Sequence, residues 1–150
     1  MGRKAILLLT SLAVMVVVSA GLALAAAITG TNGPDTLNGT QDADKIAGSA
    51  KGDTINGKAG NDQLFGDSGN DNVNGGPGAD NVQGGTGTDT ANGQDGDSDF
   101  VTVVDNDTND TAIGGAGTND TCVVDLINGQ TDDTAASCEE ILETHQRGHM

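Results

Sequence analysis

The sequence predicts an all-β solenoid in which short parallel strands stack in successive coils. Three observations predict this fold class. Residues 30–92 repeat with a period of nine, and a short fixed period is typical of solenoids. Each of the seven repeats has aspartate at its sixth position and an apolar residue at its eighth. The chain has no tryptophan or tyrosine and 24 glycines, so a conventional core with large aromatic side chains is not expected.

The N-terminal segment predicts a secretory signal peptide over residues 1–25. A basic head with Arg3 and Lys4 precedes an apolar run, and the run ends in small residues around Ala25, which is the layout of a cleavable signal. On this reading the protein is secreted and extracellular, with no membrane contact after cleavage. The run is also long enough for a membrane anchor, and retention at the cell surface is a further open alternative.

The regular repeats, over residues 26–92, each predict a turn followed by a three-residue strand. The first six positions are rich in glycine, which permits turns with positive φ. The last three read polar, apolar and variable, so only the eighth side chain points inward. Asparagine occupies the ninth position in alternate repeats, at Asn38, Asn56, Asn74 and Asn92. This alternation predicts that two repeats form one coil, with two parallel sheets and an asparagine ladder along one of them.

The sixth-position aspartates are the candidate metal ligands. They are Asp35, Asp44, Asp53, Asp62, Asp71, Asp80 and Asp89. Adjacent strands lie about 4.8 Å apart, so neighbouring carboxylates on one edge would repel by about 1–3 kcal/mol. A divalent cation between them reverses that energy, and dense oxygen ligands suit Ca²⁺. The turns on both edges predict about five regular calcium sites, with further sites in the C-terminal part left open. The early sites are less regular, since Asp42 and Lys51 stand where glycine is expected.

The repeats GGPGADNVQ and GGTGTDTAN resemble the nonapeptide of the hemolysin-type calcium-binding, or RTX, family. The resemblance implies a right-handed parallel β-roll with two nonapeptide repeats per coil. It also implies that calcium lies between neighbouring turns, held by the sixth-position aspartate and by turn carbonyl oxygens.

Residues 93–144 are interpreted as degenerate repeats with a C-terminal cap, followed by a disordered tail at residues 145–150. The pattern Asp-x-apolar recurs at Asp99, Asp110, Asp120 and Asp133. Cys122 and Cys138 are the only cysteines. In an exported chain such a pair predicts a disulfide, which would staple the irregular cap; two free thiols are the alternative. Residues 137–144 predict a last strand or a short helix.

The chemistry points to a binding or structural protein and away from an enzyme. The net charge of −16 favours cations as partners and excludes nucleic acid, because phosphate contacts need Lys and Arg. No metalloprotease or nucleophile-elbow motif is present. We therefore expect a secreted calcium-binding β-roll that folds on Ca²⁺. The alternative is a cell-surface or matrix adhesion protein in which calcium only rigidifies the rod, with its protein or glycan partner left open. Ice binding, a third option, would need Thr or Asn ranks at positions three and five, and those positions are mixed.

Overall fold

In the residues that the structure describes, fourteen short β-strands alternate between two sheets as the chain coils, apart from one hairpin within the larger sheet. The computed structural model describes residues 25–105, 109–127, 130–131 and 133–145, and these residues contain no helix. The predicted signal segment up to residue 24 and the tail from residue 146 lie outside the described residues. In the described part no helix is long and apolar enough to cross a membrane.

The odd-numbered strands from the first to the eleventh, together with β12 and β14, make up the larger, eight-stranded sheet. Its strands are β1 (Ala27–Thr29), β3 (Lys45–Ala47), β5 (Gln63–Ser68), β7 (Asn81–Thr86), β9 (Phe100–Val103), β11 (Thr121–Ile127), β12 (Gln130–Thr131) and β14 (Glu140–His145). All pairs are parallel except the pairing of β11 with β12. The last strand thus includes His145, the first residue of the predicted tail.

The second sheet has six parallel strands in regular order. They are β2 (Thr36–Asn38), β4 (Thr54–Asn56), β6 (Asn72–Asn74), β8 (Thr90–Asn92), β10 (Thr111–Ile113) and β13 (Thr134–Ala136). Equivalent residues of successive coils pair directly, as Leu37 does with Ile55 and Ile55 with Val73. The predicted coil of two nonapeptides and the all-β parallel roll are confirmed.

The core is a double file of eighth-position side chains between the two sheets. Ile46, Ile55, Leu64, Val73 and Val82 are fully buried. The same place is taken in later coils by Val101, Ala112 and Cys122, which belong to the same core cluster. Burying one Leu, Ile or Val contributes about 1.5–3 kcal/mol, and each half-coil with one of these residues at the core position is stabilised by about that amount.

The C-terminal coils keep the same plan with longer turns. β9, β10, β11 and β13 directly follow Asp99, Asp110, Asp120 and Asp133, so a strand begins after each echo of the repeat. Cys122 and Cys138 form the predicted disulfide, which joins β11 to the segment before the last strand. Residues 140–145 form a strand and not a short helix.

From the third to the seventh repeat, the second position has a left-handed backbone. Gly76 and Gly85 have φ of 119° and 117° there, whereas Lys58 and Asp67 have 83° and 71°. A non-glycine residue in this region costs about 1–2 kcal/mol, which explains why paired glycines suit the start of a repeat.

Replacing Lys58 by glycine is therefore expected to stabilise the roll by up to about 1 kcal/mol, because the relieved strain exceeds the added entropy of the unfolded chain. The measurement is the urea midpoint in millimolar calcium. The neighbouring change Ala59→Gly, at a position without a left-handed φ, is the control and should destabilise by about 0.4–1 kcal/mol. Equal loss in both variants would contradict the expected relief of strain.

Candidate metal-binding edges

The sixth-position aspartates lie in two ladders, one at each edge of the roll. Each aspartate immediately precedes a strand, so the regular stacking of coils places each carboxylate against the aspartate of the preceding coil. One ladder runs through Asp35, Asp53, Asp71, Asp89, Asp110 and Asp133, and the other through Asp44, Asp62, Asp80, Asp99 and Asp120. All seven predicted ligands lie in these ladders.

One oxygen of each carboxylate links two coils. The backbone N–H of Asp53 donates to Oδ1 of Asp71 at 2.7 Å, and the N–H of Asp62 donates to Oδ1 of Asp80 at 2.8 Å. The same bond recurs at every step of both ladders, at 2.7–3.2 Å. Hydrogen bonds of this charge-assisted kind are stronger than neutral ones, so each aspartate helps to set the register between coils.

In six aspartates of the ladders the second oxygen has no such partner. Oδ2 of six aspartates is buried without a hydrogen-bond partner, namely in Asp53, Asp62, Asp71, Asp80, Asp99 and Asp120. Each of these residues is at most 3 % exposed. A buried, unpartnered carboxylate oxygen is costly unless a cation or proton satisfies it. These oxygens are the strongest local evidence for ligand binding.

In five of the six, all except Asp120, Oδ2 faces the glycine that begins the same repeat. A methyl group on the α-carbon of Gly66 would lie 2.6 Å from Oδ2 of Asp71 and would also overlap the carbonyl oxygen of Gly84 in the next coil. Gly57 and Gly75 have equivalent neighbours. The first-position glycine is therefore required by close approach, since Gly66 has no left-handed φ, and it leaves a carboxylate and a carbonyl oxygen close together.

The first coil differs from the central ones. Oδ2 of Asp35 accepts hydrogen bonds from the backbone N–H and the hydroxyl of Thr31, at 2.6 and 2.9 Å. Thr40 donates its backbone N–H to Oδ2 of Asp44 in the same way. These two carboxylates have local donors that the central ones lack, so the strongest cation candidates begin at Asp53.

Burial shifts the protonation of the central carboxylates. Loss of solvent is the main cause that raises the pKa of Asp71 to about 6 and that of Asp80 to about 7, well above the ordinary 3.8. The backbone hydrogen bond from the preceding coil lowers the pKa, and the neighbouring carboxylates raise it further. Burial likewise raises the pKa of Asp53, Asp62 and Asp99. The folded roll therefore favours neutral or cation-bound aspartates.

The donor set fits a hard cation such as Ca²⁺. Within the described ranges, no three His, Cys, Asp or Glu side chains are grouped as metal ligands. A cation at these edges would therefore have to combine aspartate Oδ2 atoms with main-chain carbonyl oxygens, such as that of Gly84 near Asp71. Mixed carboxylate and carbonyl oxygens are the ligands that Ca²⁺ takes.

The ladders extend beyond the residues selected from the sequence. Asp99, Asp110, Asp120 and Asp133, noted only as echoes of the repeat, continue them. Glu139, which the sequence analysis missed, ends one ladder: its Oε2 accepts the backbone N–H of Asp120 at 2.8 Å. The sequence contains a signal for this role. Glu139 stands two residues before Ile141, which is the spacing between each ladder aspartate and the apolar residue that follows it.

Comparison with known families agrees with this geometry. The model of the RTX calcium-binding nonapeptide repeat (4 copies) matches residues 29–64, 47–82 and 74–97. The matched stretches cover the regular coils and stop before most of the degenerate ones. No curated protein and no solved structure matches the chain.

Proposed function

Residues 29–97 belong to the RTX calcium-binding nonapeptide repeat family, and from this premise we propose that the protein is exported and folds when Ca²⁺ binds between its stacked turns. The single observation that supports the proposal best is the row of buried Oδ2 atoms without hydrogen-bond partners in the central coils. Repeats of this family bind Ca²⁺, and here the carboxylates, the close-approach glycines and the carbonyl oxygens recur in register.

The residues that would hold calcium are the sixth-position aspartates together with first-position carbonyl oxygens. Asp53, Asp62, Asp71 and Asp80 are the central members, each beside a glycine of its own repeat. Asp99 and Asp120 carry the same unpartnered oxygen in the degenerate coils. The proposed sites therefore include the regular turns and extend into the C-terminal part.

Calcium would couple to folding through mass action, because the sites exist only in the stacked coils. Extracellular calcium modules bind with dissociation constants of about 0.1–1 mM. At about 10 mM calcium, one site of this affinity stabilises the folded chain by roughly 1.4–2.7 kcal/mol. Several sites add to an amount comparable with the whole stability of a small domain, about 5–15 kcal/mol. Export into a calcium-rich medium would then be the step that starts folding.

The test is circular dichroism of residues 26–150 during calcium titration. We expect a coil spectrum in calcium-free buffer and a β spectrum in millimolar calcium, with half-saturation near 0.1–1 mM. Magnesium at the same concentration should act weakly, because it demands octahedral geometry and keeps its water. A β spectrum that is the same with and without calcium would contradict calcium-driven folding and favour the alternative in which calcium only rigidifies a preformed rod.

A matched pair of variants links the response to the ladders. Asp71→Asn/Asp80→Asn removes two buried carboxylates, whereas Glu140→Gln/Glu143→Gln removes two exposed ones from the last strand. Both pairs lower the negative charge equally. Only the first should reduce the number of calcium ions bound and shift half-saturation upward; equal shifts would mean that calcium acts by general screening.

A further inference from the structure

The outward face of the second sheet is a narrow array of amides and hydroxyls. Each three-residue strand points its central side chain into the core and its two flanking side chains outward. In β2, β4, β6 and β8 the last outward residue is asparagine, at Asn38, Asn56, Asn74 and Asn92. The outward residue two positions earlier is threonine in three of these strands and asparagine in β6. We call these eight side chains the amide–hydroxyl face.

This face carries no charge, in a chain whose net charge is −16. The outward positions of the other sheet are mixed: they include Lys45, Phe65 and Glu140 beside exposed amides such as Gln63 and Gln83. A neutral partner can approach a periodic neutral surface of this kind without desolvating charged groups, whose burial is costly.

Hydrogen bonds between asparagines of successive coils already hold these side chains in place. Nδ2 of Asn56 donates to Oδ1 of Asn38 at 3.2 Å, and Nδ2 of Asn74 donates to Oδ1 of Asn56 at 3.2 Å. An amide has two N–H donors and two acceptor lone pairs, so each of these side chains keeps donor or acceptor capacity for a ligand. Side chains that are fixed beforehand lose less entropy on binding.

The size of the face excludes a stable contact with a second copy. Neighbouring strands lie about 4.8 Å apart, and the two outward side chains of one strand lie about 7 Å apart. These spacings give the face an area of roughly 200–300 Å² when the side-chain margins are included. A stable protein interface needs about 800 Å² on each partner. The face also lacks Trp, Tyr and Arg, the side chains that dominate protein–protein binding energy. Anionic polymers are excluded as well, because the face has no Lys or Arg.

We propose that the amide–hydroxyl face binds a neutral, unbranched glycan lying along the axis of the roll. A polymer of sugar hydroxyls offers a line of donors and acceptors, and the face offers amide and hydroxyl groups about every 4.8 Å along a line. Each contact is weak, and repeated contacts along one chain give avidity. The face exists only in the folded roll, so the inference rests on the proposed calcium-loaded fold.

The test measures retention of the purified full chain on cellulose, chitin and amylose in millimolar calcium, with anionic alginate as a comparison. We expect retention on at least one neutral glycan and at least tenfold weaker retention of Asn56→Ala/Asn74→Ala. The control Gln63→Ala/Gln83→Ala removes two exposed amides from the other sheet and should bind as the parent does. Circular dichroism of each variant separates failure to fold from failure to bind, and Thr54→Val takes the place of any asparagine variant that does not fold, with weaker retention again expected.

Several outcomes would overturn the proposal. They are the absence of retention on all three neutral glycans by folded protein, equal loss in the two double variants, and retention on alginate alone. Inhibition of ice growth by folded protein that retains no glycan would assign the face to ordered water instead. A chain that stays coil in calcium would refute the proposed function, and with it the folded face on which the glycan proposal depends.

Discussion

Replacing Gly66 by alanine is expected to destabilise the calcium-loaded roll by about 1–3 kcal/mol or more and to remove calcium sites. The added methyl group would meet Oδ2 of Asp71 and the carbonyl oxygen of Gly84, and overpacking of this kind costs about that much. Backbone hydrogen bonds hold the two coils at their spacing, as from the N–H of Gly69 to the carbonyl oxygen of Thr86 at 2.8 Å. The coils therefore cannot separate without losing further contacts. Urea midpoints and calcium stoichiometry measure the two effects.

Gly33→Ala is the matched control for this variant. The nearest atom to an added methyl group there is the hydroxyl oxygen of Thr31 at 3.7 Å, an ordinary contact distance, and Gly33 has no left-handed φ. Its stability should stay within about 0.5 kcal/mol of the parent. If both alanines have the same effect, glycine matters through chain flexibility alone and the close-approach explanation is wrong.

Without calcium, acidification is expected to promote folding of the roll. The pKa of Asp71 is raised to about 6 and that of Asp80 to about 7 in the folded chain, from an ordinary value of 3.8. Between about pH 4 and pH 7 the folded chain therefore binds more protons than the unfolded one, and its stability falls as the pH rises through this window. The carboxyl groups of Asp71 and Asp80 therefore favour folding most near pH 4, where they are protonated in the folded chain. The β signal in circular dichroism, recorded in calcium-free buffer from pH 4 to pH 8, measures the slope.

With saturating calcium the slope should reverse. The bound cation requires ionised carboxylates, so protons compete with calcium and stability should rise with pH until the aspartates are ionised. Asp71→Asn/Asp80→Asn should flatten both profiles, whereas Glu143→Gln, on the exposed part of the last strand, should leave both unchanged. A calcium-free profile that rises from pH 4 to pH 7 would refute the buried-carboxylate explanation.

The regular half of the fold follows from the sequence because each feature is local and repeated. The eighth position predicts the core, and Ile55, Leu64 and Val73 are fully buried as expected. The alternating asparagines predict the coil of two repeats, and Asn56 pairs with Asn74 in the sheet. The phase of the aspartates predicts the two edges. Each prediction depends on a property that one repeat, or the comparison of adjacent repeats, already contains.

The remaining features depend on contacts between coils, which no single repeat encodes. β5 and β7 extend into predicted turns because Asp67 pairs with Gly85 and Ser68 with Thr86 of the next coil. β1 precedes the first recognisable repeat because it pairs with β3. The different roles of Oδ1 and Oδ2 in the ladder aspartates also depend on the stacking of coils. Glu139 was missed because it replaces aspartate at the end of a ladder, where the coil length has changed.

The hydrogen bonds between coils run along the axis of the roll. This direction determines how the roll responds to mechanical load. A pull that separates the two ends acts along those bonds one coil at a time, as in unzipping, and does not shear many at once. Each released coil of two nonapeptides would lengthen the molecule by roughly 55–60 Å, the contour of its extended chain less one strand spacing. The roll would thus yield in equal steps, and each step would have to remove the cations between two coils, so the calcium concentration would determine the force at which a tether made of this protein extends.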